Sequence, residues 1–332
     1  MQMTRRGILA GAAALGATTT PALTAWEESS RYPEPRVQVL DPSFLRYRVG
    51  NTGIERLYTG ARWSEGPVWM GDWRSVLWSD IPNNRILRWD EASGNVSVYR
   101  QPSNNSNGLA RDRQGRLVAC EHNTRRITRT EFDGKITVLA DKFDGKPFNS
   151  PNDVVVKSDD SIWFSDPSAA NFDPYEGRNE KPELPTNVYR LDPKTGRVTI
   201  AVGDIRPNGL AFSPDEKILY LADNNPMPRL LKAYDVVDDK LTNPRAIASA
   251  EGGGIFDGFK VDTFGNIWCG AGAGEEHDGV AVFNPQGKKI AKILLPERCA
   301  NLCFGGLHKN RLFMAASHSL YSLYVNTTGL GS

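Results

Sequence analysis

The sequence predicts an all-β fold, a six-bladed β-propeller, from three observations. A segment recurs six times, and each copy opens on an acid or amide directly before an apolar run. The openers are separated by 42, 45, 56, 49 and 44 residues, close to the roughly 40–50 residues of a four-stranded blade. Between them the apolar runs are short and broken by Gly, Asp, Asn and Pro, with no long helical period. The six openers are Glu65, Asn107, Asn152, Asn208, Asp257 and Asn301.

The openers also predict a site. In a propeller the first strand of each blade lines the central channel, and all six first strands begin on the same face. Six short polar side chains should therefore converge on one axis. The alternative is that each opener is an ordinary turn residue that bonds its own backbone.

The chain before the first opener is expected to close the ring. Residues 34–60 look like strands without an opener of their own. The last copy, residues 301–325, has room for only about two strands. An N-terminal strand that pairs with this copy would complete the last blade and leave no long sheet edge exposed.

An insertion accounts for the longest spacing between openers. It covers residues 167–185 and is rich in charged residues and proline. Long connections of this kind are often functional, and this one follows a second strand that runs toward the face of the openers. We expect it to form a partial lid over the site, the alternative being a surface excursion.

Composition and length favour one domain that acts on a small molecule. The chain has 332 residues, a formal net charge of +1 and evenly mixed acids and bases. This balance argues against a nucleic-acid surface. We expect residues 26–332 to form a single propeller domain, whose oligomeric state the sequence leaves open.

Residues 1–25 are predicted to be an export signal. Arg5 and Arg6 precede an Ala/Gly/Leu run and small residues, a pattern typical of the twin-arginine route. A general secretory signal and an N-terminal anchor are the alternatives, although the run is shorter than the roughly 20 residues that span a bilayer. Cleavage would leave a periplasmic protein with no membrane segment.

The four cysteines are predicted to be buried free thiols. An exported protein permits a disulfide, but a fold of this size does not require one. No CxxC motif or Cys/His spacing indicates zinc. The cysteines are Cys120, Cys269, Cys299 and Cys303.

Four openers form a candidate metal site. Glu65 and Asp257 offer carboxylates, and Asn152 and Asn208 offer amide oxygens. Oxygen ligands of this kind favour Ca²⁺, with Mg²⁺, Mn²⁺ or Zn²⁺ as alternatives. A divalent metal there could polarise a carbonyl and stabilise the oxyanion formed when water attacks it. A purely structural calcium is the alternative.

Nucleophilic catalysis has weaker support. The chain has no GxSxG motif and no recognisable triad order among its histidines. His122 should lie on the face of the openers because it follows a second strand. We predict His122 and Asn107 to be substrate-binding residues, and Asp166 to lie near the same mouth.

Five ordered motifs carry a resemblance to a known family. They are EGPVW from Glu65, NGLARDRQGRLVACEH from Asn107, NSPNDVVVKSDDSIWFSDP from Asn149, NGLAFSPDEKILYLAD from Asn208 and DGFKVDTFGNIWCG from Asp257. Over about residues 50–325 the chain resembles bacterial gluconolactonases of the SMP-30 (regucalcin)/gluconolactonase/LRE-like family.

The resemblance implies a six-bladed propeller with one catalytic divalent metal, usually calcium. Its ligands would be Glu65, Asn152, Asn208 and Asp257, with Asp257 also acting as general base or as nucleophile. Regucalcin-like members carry an arginine two residues before the PND asparagine, where this chain has Ser150. Sugar recognition is therefore expected to differ.

Together these observations predict a metal-dependent hydrolase. It would open a sugar lactone, glucono-1,5-lactone or a close relative, to the aldonic acid, with Asp257 as general base. The alternatives are a phosphotriesterase, an aryl-ester or other lactone hydrolase on the same site, and a non-enzymatic calcium-binding propeller.

Overall fold

Six antiparallel sheets form a closed ring in the computed structural model, which describes residues 26–177 and 180–330. Two strands precede the blades: β1 (Val37–Val39) and β2 (Glu55–Thr59). The first blade contains β3 (Ser64–Met70), β4 (Ser75–Asp80), β5 (Arg85–Asp90) and β6 (Val96–Arg100). The second contains β7 (Ser106–Arg111), β8 (Leu117–Glu121), β9 (Arg126–Thr130) and β10 (Ile136–Ala140). A small hairpin follows, made of β11 (Lys142–Phe143) and β12 (Lys146–Pro147).

The remaining blades repeat this arrangement. The third contains β13 (Val154–Val156), β14 (Ile162–Asp166), β15 (Asn187–Asp192) and β16 (Arg197–Gly203). The fourth contains β17 (Pro207–Phe212), β18 (Ile218–Asp223), β19 (Leu230–Val237) and β20 (Lys240–Ser249). The fifth contains β21 (Ile255–Val261), β22 (Ile267–Gly272), β23 (Gly279–Phe283) and β24 (Lys289–Leu294). The sixth contains β25 (Cys299–Gly305), β26 (Arg311–Ala316) and β27 (Ser319–Tyr324). Short 3₁₀ helices cover Pro42–Tyr47, Gly71–Trp73 and Ala170–Phe172.

The ring closes as the sequence predicted. Each innermost strand contacts the innermost strand of the next blade, and β25 of the last blade contacts β3 of the first. Strand β2 pairs with β27 and completes the sixth blade, with Glu55 opposite Ser322. The six-bladed propeller and its closure by an N-terminal strand are therefore confirmed.

Only part of the N-terminal segment serves this closure. Strand β1 instead pairs with β24, with Val37 opposite Ile293, and adds a fifth strand to the fifth blade. The expectation that residues 34–60 complete the last blade thus holds for β2 alone. A strand on the outer edge of the fifth blade covers backbone groups that would otherwise be exposed.

Apolar layers between neighbouring blades form the core. The second strand of a blade is packed on both faces, and in β4 every residue is buried. Trp78, Trp163 and Trp268 lie in second strands of three blades and are fully buried. Burying a large apolar side chain contributes about 1.5–3 kcal/mol, so these layers hold the blades at fixed positions around the channel.

Glycines directly after the openers allow the innermost strands to approach closely. A Cβ atom on Gly66 would lie 2.1 Å from the carbonyl oxygen of Asn107, and one on Gly108 would lie 2.5 Å from that of Asn152. A Cβ on Gly258 would lie 2.0 Å from Cγ of Asn301. The glycine of each NG, DG or EG pair therefore sets how tightly the openers converge.

Register shifts direct the openers into the channel. Strand β3 shifts register between Glu65 and Val68, and β21 shifts between Phe256 and Phe259. Bulges of this kind bend a strand and change the direction of a side chain. Similar shifts occur at the openers of β7, β17 and β25.

The thiol prediction is confirmed, because all four cysteines are free and buried. Among residues 26–177 and 180–330, no helix has the length and apolar content needed to cross a bilayer. The predicted export signal lies outside the described residues, and both the signal and the domain boundary at residue 26 stay predictions.

Candidate functional site

The structure brings three of the predicted metal ligands together, Glu65, Asn208 and Asp257, and places Asn152 just before β13, an innermost strand that contacts β17. Glu65 lies in β3, Asn208 in β17 and Asp257 in β21, while Asn152 directly precedes β13. Both carboxylates are only 3% exposed, and both amides are half-buried. Asp257 repels the Glu65 carboxylate electrostatically and accepts a hydrogen bond from Asn208. Their roles as ligands stay predictions.

Burial and mutual repulsion disfavour two negative charges at this place. Burial, followed by repulsion from Asp257, raises the pKa of Glu65 well above its usual value, although the Gly66 N–H donates to its Oε2 at 2.8 Å. Burial likewise raises the pKa of Asp257, although Arg298 opposes this. A positive charge between the two carboxylates would relieve both effects.

Arg298 supplies one positive charge at the site, although no sequence motif indicates it. Its Nη2 donates to Oδ2 of Asp257 at 2.5 Å, and its guanidinium carbon lies 5.1 Å from the ring centre of Trp63. Arg298 lies one residue before β25, in a loop that shows no motif. Only the blade spacing could have indicated it, since that loop precedes an innermost strand on the face of the openers.

Asp153 adds a further buried carboxylate beside this group. Its Oδ1 accepts from the Val154 N–H at 2.9 Å, and its Oδ2 is buried without a hydrogen-bond partner. The Nζ of Lys260 lies 4.0 Å from that oxygen. Repulsion from Asp153 contributes to the raised pKa values of Glu65 and Asp257.

The charges of this cluster fit a hard dication. In the described part of the chain it contains four carboxylates and two cations, a formal charge of −2 when all are ionised. The carboxylates are Glu65, Asp153, Glu176 and Asp257, and the cations are Arg298 and Lys260. The described residues contain no cluster of three His, Cys, Asp or Glu side chains with metal-ligand geometry. Two of the four predicted ligands are amides and two are carboxylates. All four would bind a metal through oxygen, which suits calcium rather than zinc.

His122 and Asn107 are both buried, 3% exposed, and lie side by side. The Nδ1 of His122 lies 3.0 Å from the carbonyl oxygen of Glu176, and its Nε2 lies 3.4 Å from Nδ2 of Asn107. A neutral ring that donates from Nδ1 and accepts at Nε2 satisfies both contacts. Burial lowers the pKa of His122 to about 4, so the ring is neutral at pH 7. The substrate-binding role of the pair stays a prediction.

The insertion reaches the site, as expected for a lid. The side chain of Glu176 interacts electrostatically with Arg298 and Asp257. Burial and repulsion from Asp173 and Asp257 raise its pKa to about 7. Arg125, whose backbone N–H donates to the His122 carbonyl oxygen in the same turn, pairs with Glu180 at 3.4 Å. The described part of the insertion is thus anchored over the face of the openers.

Asp166, which we expected near the mouth, has its carboxylate occupied by backbone contacts. It is fully buried, and its two oxygens accept the backbone N–H groups of Asn149 and Ser150, each at 2.9 Å. Asp80 and Asp223, at the ends of the corresponding strands, accept backbone N–H groups in the same way. These acids therefore hold the segments that lead into the innermost strands.

The fold and the site together define a class of protein: a six-bladed propeller with buried carboxylates and amides around its axis. Residues 63–318 match the SMP-30/Gluconolactonase/LRE-like region. The chain therefore belongs to this family, as the sequence motifs predicted.

Individual relatives agree with this assignment. A gluconolactonase of Zymomonas mobilis is 29% identical over 306 residues, covering 84% of this chain and 83% of that protein. The pentonolactonase XacC of Haloferax volcanii is 27% identical, covering 82% and 83%. A solved gluconolactonase from Xanthomonas campestris is 37% identical with a TM-score of 0.81, covering 87% of this chain and 94% of that one. The predicted class, a gluconolactonase-like carboxylic-ester hydrolase, matches the activities for which these relatives are named.

Proposed function

We propose that this protein is a divalent-metal-dependent lactonase that opens glucono-1,5-lactone or a closely related sugar lactone. The observation that carries the proposal is the pair of buried carboxylates, Glu65 and Asp257, which repel each other electrostatically, with the Asn208 amide hydrogen-bonded to Asp257. Two relatives named for sugar-lactone hydrolysis, a gluconolactonase and a pentonolactonase, support the substrate class.

The residues of the site suggest how a lactone would be opened. A dication held by Glu65, Asn152, Asn208 and Asp257 would supply Lewis-acid polarisation of the lactone carbonyl. Asp257 is the general base: its carboxylate accepts a proton from the water whose oxygen bonds to the carbonyl carbon. The ring carbon–oxygen bond then breaks, and the released alkoxide takes that proton. One lactone and one water give one hydroxy acid.

Asp257 could instead attack the carbonyl itself, and an isotope experiment separates the two roles. A single turnover in ¹⁸O-labelled water places the label in the product carboxylate if Asp257 is a base. Label in Asp257 with an unlabelled first product would show that the carboxylate attacks the carbonyl and that water then cleaves the mixed anhydride at Cγ of Asp257. Mass spectrometry of product and of the peptide that contains residue 257 reads both outcomes.

Calcium is the metal we propose for this site. Carboxylate and amide oxygens are ligands that Ca²⁺ accepts, and its six to eight positions leave room for water and substrate beside four protein ligands. Mg²⁺, Mn²⁺ and Zn²⁺ are tested alongside it by reconstitution after chelation.

Sugar lactones fit the mouth better than organophosphates or aryl esters. Apart from the Trp63 ring against Arg298, the described groups beside the two carboxylates are polar: Asn107, His122 and Glu176 lie together there. Sugar hydroxyls can pair with such groups, whereas aryl esters favour apolar walls.

Location belongs to the same proposal. Residues 1–25 would direct the folded protein to the periplasm by the twin-arginine route. Fusion of these residues to a reporter that reaches the periplasm only in the folded state tests this. Replacing Arg5 and Arg6 by lysine is expected to block export.

A substrate panel tests the reaction class. Mature protein with Ca²⁺ is given glucono-1,5-lactone, an aldonic 1,4-lactone, phenyl acetate and a phosphotriester, and acid release is recorded against spontaneous hydrolysis. The proposal predicts the highest kcat/KM on one of the two sugar lactones. Preference for the phosphotriester or the aryl ester would favour the alternative hydrolases, and no turnover with retained calcium binding would favour a binding propeller.

A further inference from the structure

Arg298 is held in place from several sides although no motif marks it. The carboxylate of Glu297, the residue before it, accepts hydrogen bonds from the His318 N–H, the Ser319 hydroxyl and the Tyr321 hydroxyl, each at 2.6 Å. The carbonyl of Arg298 accepts from the Ser317 N–H at 3.0 Å. The loop before β25 therefore presents the Arg298 side chain from a fixed backbone.

The neighbouring blade leaves room for this side chain. A Cβ atom on Gly272, at the end of β22, would lie 2.4 Å from Cγ and 2.5 Å from Cδ of Arg298. The guanidinium also packs over the ring of Trp63. Glycine on one side and an aromatic face on the other restrict where the guanidinium can lie.

The guanidinium has donors that the protein does not use. Nη2 donates to Asp257, whereas Nε is buried without a hydrogen-bond partner. The side chain keeps 35% of its surface exposed, beside the two acidic openers. A cation held this firmly, with part of its side chain exposed beside the acidic openers, is suited to a ligand oxygen.

We propose that Arg298 is a second functional residue of this site, with two tasks. It fixes the orientation of Asp257 by binding Oδ2, and it donates to the oxygen of the substrate group that becomes a carboxylate. The inference rests on the proposed lactonase function. It also fits a reaction that ends in an anionic product, because a guanidinium N–H donates strongly to a developing negative charge.

The nearby charges define what a substitution should change. Arg298 interacts with Asp257, Glu65 and Glu176, three carboxylates at the mouth. Removing its charge makes the site more negative, so a dication should bind equally well or more tightly. Loss of an ordinary structural contact would not produce that combination of weaker turnover and undiminished metal binding.

The experiment compares wild type, Arg298→Gln, Arg298→Lys and Asp257→Asn in three measurements. These are kcat and KM on glucono-1,5-lactone, the Kd for gluconate by calorimetry, and the Kd for Ca²⁺. We expect Arg298→Gln to lower kcat by about 100-fold, the scale for losing a donor to a developing oxyanion. Gluconate should bind about tenfold more weakly, and Ca²⁺ no more weakly. Arg298→Lys should keep part of the turnover and part of the gluconate affinity that Arg298→Gln loses.

Gly272→Ala is the second variant, because it displaces the Arg298 stem without removing the charge. It should reproduce the loss of gluconate binding, while Gly50→Ala, at a position with open space around it, should not. Arg298→Gln within threefold of wild type in both turnover and gluconate binding would overturn the proposal. If wild type turns over no lactone but binds gluconate in an Arg298-dependent way, the lactonase function fails while the contact of Arg298 stands.

Discussion

The Nδ1 of His122 lies 3.0 Å from the backbone carbonyl oxygen of Glu176 and so ties the second blade to the insertion of the third. A Cβ on Gly177 would lie 3.3 Å from the Cβ of His122, which shows how closely the two segments pack. The side-chain carboxylate of Glu176 interacts electrostatically with Arg298 and Asp257. His122 therefore sets the position of a charge at the candidate site.

Replacing His122 by alanine should loosen the insertion. One hydrogen bond contributes about 0.5–1.5 kcal/mol, so we expect amide exchange over residues 170–177 to rise and KM to increase about two- to tenfold. Hydrogen exchange with mass spectrometry measures the first effect. His308→Ala, at an exposed position, is the control. Unchanged exchange in His122→Ala would show that the contact does not hold the insertion.

His122 should also make the fold sensitive to acid. Because burial lowers its folded pKa to about 4 from 6.5, the unfolded chain binds the extra proton between these values. Its contribution is complete above pH 6.5 and is lost as the pH falls toward 4. From pH 7.5 to pH 5 this amounts to about 2 kcal/mol. Other groups titrate too, so the quantity to compare is the difference between wild type and His122→Gln in urea unfolding. A difference that does not change with pH would contradict the neutral, buried ring.

Gly108, which follows the opener Asn107, should not tolerate a methyl group. Gly108→Ala would place Cβ 2.5 Å from the Asn152 carbonyl oxygen and 2.7 Å from Cα of Asp153. Because two backbones would have to separate, we expect a loss of about 1–3 kcal/mol in unfolding free energy. Gly50→Ala is the matched control, with no atom within 4 Å of the added carbon. Equal denaturation midpoints for the two variants would refute the close approach.

Calcium should stabilise the folded protein through the acidic openers. A ligand at 100 times its Kd adds about 2.7 kcal/mol to the unfolding free energy, so Tm should rise with Ca²⁺ and fall after chelation. Glu65→Gln should remove most of this response. Asp215→Asn, which changes an exposed acid outside the site, should keep it. A Ca²⁺ response that survives in Glu65→Gln would place the ion elsewhere.

The fold was predictable because the repeat is periodic. Six openers at blade spacing required six blades, and the short last copy required a strand from the N-terminal side. The pairing of β1 with the fifth blade was not predictable, because residues 34–60 carry no opener that fixes their register. Strand β1 pairs with β24 because β24 forms the outer edge of the fifth blade, and that edge exists only in the folded structure.

The site was predictable only where it coincides with the repeat. Glu65, Asn208 and Asp257 come together because each occupies the same phase of its blade. The position of Arg298 at the site was not predictable, because this residue lies in a loop outside the repeat and 41 residues from Asp257 along the chain. The backbone-binding role of Asp166 was not predictable, because an acid that accepts backbone N–H groups looks, in sequence, like an acid that faces a ligand.

The most direct test is acid release from glucono-1,5-lactone in a pH-stat, above the spontaneous rate. Wild type with Ca²⁺, chelated wild type, Asp257→Asn and Asp215→Asn are compared after thermal unfolding shows that each is folded. We predict turnover by wild type and Asp215→Asn. Chelation and Asp257→Asn should each lower it by at least about 100-fold, and Ca²⁺ should restore the chelated protein. Turnover by Asp257→Asn equal to that of wild type would contradict the assignment of the reaction to this site.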